Sequence, residues 1–195
     1  MSEFSDYYVV YQRVGEHAMV LVGHENDVPR DLTGNEYQED TNRWFYFENG
    51  FRDEDVSQGI HHQLCNLHMS GRNMMVKREL YLALRHIDII GAQWLKAVII
   101  NDDDTYHDDY HYLNFYDKVK KYADYLPPLY TFEKIILSQE KLAAVPLEKR
   151  LIWDDLQFTD RLVVHKSVKE IMEKYQPLDC RFTRIEEHKE NMGTR

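Results

Sequence analysis

Short apolar runs, each about the length of a β-strand, constrain the fold of this chain more than any other feature. They are rich in aromatic and β-branched residues, as is typical of strands. The runs are YYVVYQRV from Tyr7, AMVLVG from Ala18, RWFYFENG from Arg43, WLKAVII from Trp94, YHYLNFY from Tyr110, TFEKIIL from Thr131 and CRFTRI from Cys180. AMVLVG is predicted to pair with the first run. None of the runs is long enough for a membrane-spanning helix.

Apolar residues at helical spacing predict helices between these strands. One helix is expected over Asp55–His68, because Val56, Ile60, Leu64 and Leu67 would form one stripe. Further helices are expected over 76–89, from Ser138, and from Ser167 as the N-cap residue. The sequence therefore predicts an α+β fold, with a mixed, largely antiparallel sheet and packed helices, in a single domain spanning residues 1–195.

Two segments of the chain resemble each other. Residues 76–94 align without gaps on residues 164–182, at an offset of 88, and both predict a helix, a turn and a strand. The matched pairs are Val76 with Val164, Leu80 with Val168, Leu84 with Met172, and Trp94 with Phe182. One hypothesis is that the domain contains two related helix–strand units. The alternative is a chance similarity between two amphipathic helices.

The charge of the chain is negative and unevenly distributed. The net charge is −10, and all of the excess lies within residues 1–125. This argues against nucleic acid and anionic membranes as ligands, since both need a basic surface. It favours a basic protein partner, although acidity also serves solubility alone. The two cysteines, Cys65 and Cys180, suit a reducing cytosol, and the acidic N-terminal residues lack the pattern of a signal peptide, so a cytoplasmic location is expected.

An unusual segment, NDDDTYHDDYHYLNFYD, spans Asn101–Asp117. Aspartates interleaved with tyrosines form a surface that binds basic side chains by charge and by stacking, and tyrosine is enriched at protein interfaces. The sequence therefore predicts a partner-binding surface here. Its predicted residues are Asp102, Asp103, Asp104, Tyr106, Asp108, Asp109 and Tyr110.

The same segment also contains residue types that bind metal ions. A calcium loop starting at Asp102 fails, because Tyr106, His107 and Leu113 stand where ligands or glycine are required. His107 and His111 have the spacing of a zinc-protease helix, but the flanking residues favour a turn followed by a strand. On a regular strand, His107 and His111 would share one face, so a metal bound by both remains an alternative.

A second possible metal site lies in HHQLCNLH. On a helix, His61, Cys65 and His68 would form one stripe, and three such ligands suit an open zinc site. The alternative is that these residues border a buried face. The chain lacks a glycine-rich phosphate loop, a G-x-S-x-G turn and a C-x-x-C pair. We therefore expect no enzymatic activity and no cofactor; the alternative function is a metal-dependent hydrolase built on one of these clusters.

The second half of the chain resembles a bacterial immunity protein family of polymorphic toxin and type VI secretion systems, named after a myxococcal immunity protein. The resemblance covers roughly residues 106–183. It rests on YLNFYD, TFEKIILSQEKL, FTDRL followed by SVKEIMEKY, and LDCRF. The chain departs from the family at Leu178-Asp179, where members commonly carry a glycine.

The resemblance implies a role without catalysis: the protein would bind a cognate toxin and so protect the cell that makes it. No catalytic residue is carried over. An adaptor module without a toxin partner is a further alternative.

Overall fold

The computed structural model describes residues 6–12, 19–24, 36–37, 43–70, 73–116, 123–125, 135–154, 162–175 and 180–187. The strands are β1 (Tyr7–Gln12), β2 (Leu21–Gly23), β3 (Phe45–Asn49), β4 (Leu67–Ser70), β5 (Asn73–Lys77), β6 (Ala92–Ile100), β7 (Tyr106–Phe115), β8 (Ala123–Tyr125), β9 (Ile135–Leu137), β10 (Ile152–Asp154), β11 (Leu162–His165) and β12 (Cys180–Arg184). The helices are α1 (Arg52–Ser57), α2 (Arg78–Leu84), α3 (Gln139–Ala143) and α4 (Lys166–Lys174), with 3₁₀ turns at Leu147–Lys149 and Ile185–Glu187.

The strands form two main sheets. The larger sheet has the order β2-β3-β6-β7-β5-β4, and the smaller has the order β10-β11-β1-β12; β8 and β9 pair separately. All neighbours are antiparallel except β3 and β6, which run parallel. The predicted α+β class, with a mixed and largely antiparallel sheet, is therefore confirmed.

The two faces of the larger sheet contribute to different core clusters. Along β3, Phe45 and Phe47 are fully buried, whereas Tyr46 and Glu48 are half-buried, because successive side chains of a strand point to opposite faces. These phenylalanines join Ile99, Tyr110 and Tyr112 in a cluster on one face. The opposite face contributes to a cluster shared with α2, α4 and the smaller sheet.

The two predicted helix–strand units are present and have the same topology. In the first unit, β5 and β6 lie on either side of β7 and are connected through α2. In the second unit, β11 and β12 lie on either side of β1 and are connected through α4. Each unit also has an antiparallel edge strand, β4 beside β5 and β10 beside β11.

The pairing registers of the two units agree at the same offset of 88 found in the sequence. In the first unit, His111 of β7 faces Val76 and Lys96. In the second, Tyr8 of β1 faces Val164 and Arg184. The two helices, and β6 and β12, also begin 88 residues apart. A chance similarity between two helices does not account for equal strand registers, so we interpret the units as structural repeats.

The repeats pack against each other in one core. Six of the residues matched in the sequence are fully buried together in the shared cluster, and the other two pack against it. The six are Val76, Leu80, Leu84, Val164, Val168 and Met172; the two are Trp94 and Phe182.

The helix predicted over 76–89 is shorter in the structure, since β5 extends to Lys77 and α2 spans Arg78–Leu84. Three other local predictions are wrong. The helix predicted over Asp55–His68 ends at Ser57, where Gly59, with φ of 69°, terminates it, and the chain then extends into β4. AMVLVG does not pair with the first strand, because its residues Leu21–Gly23 join β3 instead. The N-cap of α4 is His165, whose Nδ1 accepts from the Ser167 backbone N–H at 3.2 Å, and not Ser167 itself.

No helix among the described residues is long and apolar enough to cross a membrane.

Candidate functional site

The predicted acidic surface lies at the turn between β6 and β7. The turn is closed by two backbone hydrogen bonds, from Asn101 N to the Thr105 carbonyl at 2.9 Å and from Asp104 N to the Asn101 carbonyl at 3.0 Å. Asp104 has a positive φ of 63°, a conformation that aspartate tolerates better than most residues. The turn therefore holds its three aspartates in one defined backbone conformation.

Each aspartate of the turn has a different partner. Asp102 is half-buried and accepts from Asn49 Nδ2 at 3.2 Å. Asp103 is exposed and accepts from the Thr105 backbone N–H at 3.0 Å; hydrogen bonds from Thr105 lower the pKa of its carboxyl group. Asp104 accepts from Arg52 at 2.7 Å, and its side chain remains 75% exposed.

Helix α1, which follows β3, contacts the β6–β7 turn through Arg52. Arg52 Nη2 donates both to Asp104 Oδ1 and, at 2.9 Å, to the Asp102 carbonyl oxygen. The hydrogen bond to Asp104 raises the pKa of the Arg52 guanidinium group above its usual value. One side chain of α1 thus contacts two residues of the turn and limits their motion.

A partly buried polar network connects the same elements. Asn49 is 4% exposed and donates to both Asp102 and Asp55, the latter at 2.8 Å. Asp55 Oδ2 also lies 2.7 Å from His62 Nε2. The hydrogen bonds from Asn49 and then His62 lower the pKa of Asp55, so this carboxylate stays charged beneath the surface.

Sequence reasoning did not find Asn49, Arg52, Asp55 or His62. Nothing in the sequence indicates that Asn49, the last residue of β3, reaches a carboxylate 53 residues away. Further acidic residues lie close to Arg52: Glu48 interacts with it electrostatically, and Asp53 and Glu54 follow it in α1. Phe51 and Val56, in the same segment of the chain, are exposed apolar residues.

The other predicted residues are divided by a β-bulge. Ala97 pairs with Tyr110 and Ile99 with His107, so Val98 stands opposite both Asp108 and Asp109. Asp108 is exposed and Asp109 is half-buried. Tyr106, at the start of β7, is 62% exposed, and it is therefore available to a partner.

Tyr110 does not lie on this surface, so its predicted role is corrected. It is fully buried in the cluster with Tyr112, and its hydroxyl donates to the Cys65 carbonyl oxygen at 2.8 Å. Burial raises the pKa of the phenol. Strand alternation alone did not reveal that this tyrosine faces the core.

The structure separates His107 from His111. Residues that pair directly across a ladder point to the same face. His107 pairs with Ile99, and His111 pairs with Lys96 on the opposite face, because the bulge shifts the alternation. His111 instead stacks on Tyr81 with ring centroids 3.7 Å apart. The two imidazoles therefore do not chelate one ion in this arrangement.

The second predicted cluster is not a helical stripe either. His61 and Cys65 lie in an irregular segment before β4, and His68 lies within β4. His68 is 1% exposed, and its Nε2 accepts from the Cys65 backbone N–H at 2.9 Å. Within the part of the chain that the structure describes, no three His, Cys, Asp or Glu side chains are grouped so as to hold a metal ion.

Comparison with models of known protein families found no match, and no curated protein matches the chain either.

Proposed function

We propose that this chain is an immunity protein, which binds and neutralises a cognate bacterial toxin that carries a basic surface. The proposal is carried by one observation: the turn between β6 and β7 presents exposed carboxylates in a conformation already fixed by Arg52 and Asn49. A surface ordered before binding loses less conformational entropy when a partner arrives. The sequence resemblance over residues 106–183 supports the same role.

The proposed mechanism is steric and electrostatic. Carboxylates around the turn attract a basic toxin and increase its association rate. Exposed aromatic side chains then provide contact area at the centre of the interface. Toxin activity is lost because the bound chain covers the toxin surface, and no bond is formed or broken.

The experiment uses the product of the gene adjacent to that of this chain, since an immunity gene lies beside its toxin gene. Binding is measured by calorimetry, and protection is measured by co-expression. The test variant replaces Asp102, Asp103, Asp104, Asp108 and Asp109 with asparagine. The control variant replaces Asp88, Glu140, Glu148, Glu170 and Glu187 with their amides, which changes the net charge equally at exposed positions elsewhere.

We expect the test variant to bind about tenfold more weakly at low salt, with the difference shrinking as salt rises, because exposed charges act mainly through long-range attraction. The control variant should bind nearly as well as the parent protein. If the adjacent gene product does not bind, the immunity function is excluded for that pair. If both variants lose affinity equally, net charge rather than this turn directs the recognition.

A further inference from the structure

Three exposed apolar side chains lie around Gly50, where the chain leaves β3 and enters α1. Val20 is 37% exposed, Val22 is 41% exposed and Phe51 is 52% exposed. The Gly50 N–H donates to the Val20 carbonyl oxygen at 2.9 Å, and Phe51 follows Gly50 in the chain. Val20 and Val22 are two residues apart on extended chain, so they share a face. The side chains of Val20, Val22 and Phe51 are called the apolar patch.

Gly50 allows these side chains to come together. A Cβ atom at this position would lie 2.8 Å from Val22 Cγ1, well inside the usual separation of two carbon atoms. The Val22 side chain therefore lies directly against the main chain of Gly50, next to Phe51. A larger residue would displace it, because a β-branched side chain has few alternative rotamers.

The apolar patch is not used to pack the neighbouring helix. Helix α1 begins after Phe51 and has no buried residue. Its polar side chains hold it instead: Arg52 donates to the β6–β7 turn, and Asp55 accepts from Asn49. Single exposed apolar residues are ordinary on a protein surface, but a contiguous group bordered by polar residues marks a contact site.

Carboxylates border the apolar patch. Asp53 and Glu54 are exposed and lie in the first turn of α1. Glu48 pairs with Val22 across β2 and β3 and interacts electrostatically with Arg52. Because Arg52 also binds the β6–β7 turn, the apolar patch and the acidic turn belong to one connected surface.

We infer that the apolar patch is the centre of a docking surface for a basic protein, which places an apolar side chain or recess there and surrounds it with lysine or arginine. The inference rests on the proposed function only for the identity of the natural partner. It adds that apolar contact provides the affinity, whereas the carboxylates mainly increase the association rate. A second copy of this chain fits less well, since two copies would bring their acidic borders together.

Three small probes test this chemistry, each titrated at equal ionic strength and followed by amide chemical shifts. Phenethylammonium has an aromatic ring and a positive charge, ethylammonium has the charge alone, and phenylacetate has the ring with a negative charge. We expect phenethylammonium to bind about threefold or more tightly than either of the others, because ring burial and attraction to the carboxylates both contribute. The largest shifts should be those of Val22 and Phe51.

A variant with Val22→Thr and Phe51→Ser should lose the preference for phenethylammonium over ethylammonium. Both changes suit the local structure, since threonine keeps the β-branch and serine is a good N-cap residue at the start of α1. The control variant, Leu82→Gln with Leu147→Gln, removes two apolar side chains that are 43% and 41% exposed elsewhere. It should keep the preference.

The adjacent gene product tests the natural interface through its dissociation rate. The Val22→Thr, Phe51→Ser variant should dissociate about tenfold faster at every salt concentration, because residues at the centre of an interface act mainly on dissociation. The control variant should dissociate like the parent protein. A gene product that binds and dissociates from the patch variant at the parent rate overturns the inference.

Equal affinity for phenethylammonium and ethylammonium overturns it as well, and so does equal affinity for phenylacetate. Sedimentation of the protein alone tests the other occupant: a dimer that becomes a monomer in the patch variant would assign the apolar patch to a second copy. If the preference for phenethylammonium is found and the gene product does not bind, the inference about the patch stands and the immunity function fails for that pair.

Discussion

Two fully buried tyrosines show how single residues support each repeat. Tyr110 and Tyr7 occupy equal positions on the central strands, facing Lys77 and His165. Both hydroxyls bond to the segment that precedes an edge strand: Tyr110 donates to the Cys65 carbonyl, and Tyr7 accepts from Arg150 at 3.0 Å. Each phenol therefore connects a central strand to the chain that leads into the sheet edge.

We expect Tyr110→Phe to lower the free energy of unfolding by about 1 kcal/mol, because one intramolecular hydrogen bond is lost. Affinity for the partner should not change, since the ring stays buried. Urea denaturation measures the first effect and calorimetry the second. Tyr106→Phe is the control, and its exposed hydroxyl predicts an unchanged midpoint. A Tyr110→Phe variant that binds more weakly at full stability would return Tyr110 to the interface.

His111 predicts a pH dependence of stability. Burial, followed by the charges of Arg78 and Lys96, lowers its pKa from 6.5 to about 4. The unfolded chain therefore takes up a proton near pH 6.5, before the folded chain does, and stability falls as pH decreases from 6.5 to 4. His111→Phe, which can keep the stacking on Tyr81, should flatten this dependence, whereas His86→Phe at an exposed site should not. Measuring the free energy of unfolding of the parent protein and both variants between pH 6.5 and 4 tests this prediction.

At the scale of elements, Arg52 of α1 holds the β6–β7 turn. Arg52→Gln removes the charge that contacts Asp104 and the Asp102 carbonyl. We expect faster hydrogen exchange at the amides of Asn101 and Asp104, which close the turn. Global stability should change by less than about 1 kcal/mol, because exposed ion pairs contribute little. The control is Lys149→Gln, which removes the surface ion pair with Asp88. Unchanged hydrogen exchange in the Arg52 variant would show that the turn is held by its own backbone hydrogen bonds.

The strands and the acidic turn could be predicted, because a short aromatic run or a cluster of aspartates is a local signal. β1, β3, β6, β7 and β12 were found in this way. The helix predicted over Asp55–His68 failed because Val56, Ile60, Leu64 and Leu67 have helical spacing by coincidence. Val56 is 51% exposed, and Leu67 is buried through its pairing with Val76. The pairing of β4 with β5, and not the helical spacing of the apolar residues, therefore determines the structure of Leu67 and its neighbours.

The site was only partly predictable for a related reason. Asp104 and Tyr106 were identified from local composition, and both are exposed. The contacts of Arg52 with the turn join residues about 50 positions apart, which a single sequence does not reveal. The bulge opposite Val98 also changes which residues of β7 face outward. No residue type in this segment indicates that a bulge is present.

For the whole molecule, the shared core predicts cooperative unfolding. Leu84 of the first repeat and Met172 of the second are fully buried in the same cluster. Leu84→Ala and Met172→Ala should each destabilise the chain by about 2–5 kcal/mol. Tryptophan fluorescence and far-UV circular dichroism should report one coincident urea transition in each variant. Separate transitions, with only the mutated repeat unfolding early, would show that the repeats are independent.

The two repeats differ in the order of their elements along the chain. In the first repeat the central strand β7 directly follows β6, whereas in the second the central strand β1 comes near the beginning of the chain and pairs with β12 near its end. Moving β1 behind β12 by circular permutation would give both repeats an identical order of elements. Because the pairing of β1 with β11 and β12 is the same in either connectivity, a chain opened between β1 and β2 is expected to adopt the native arrangement. The present order would then be one of two routes through the same architecture.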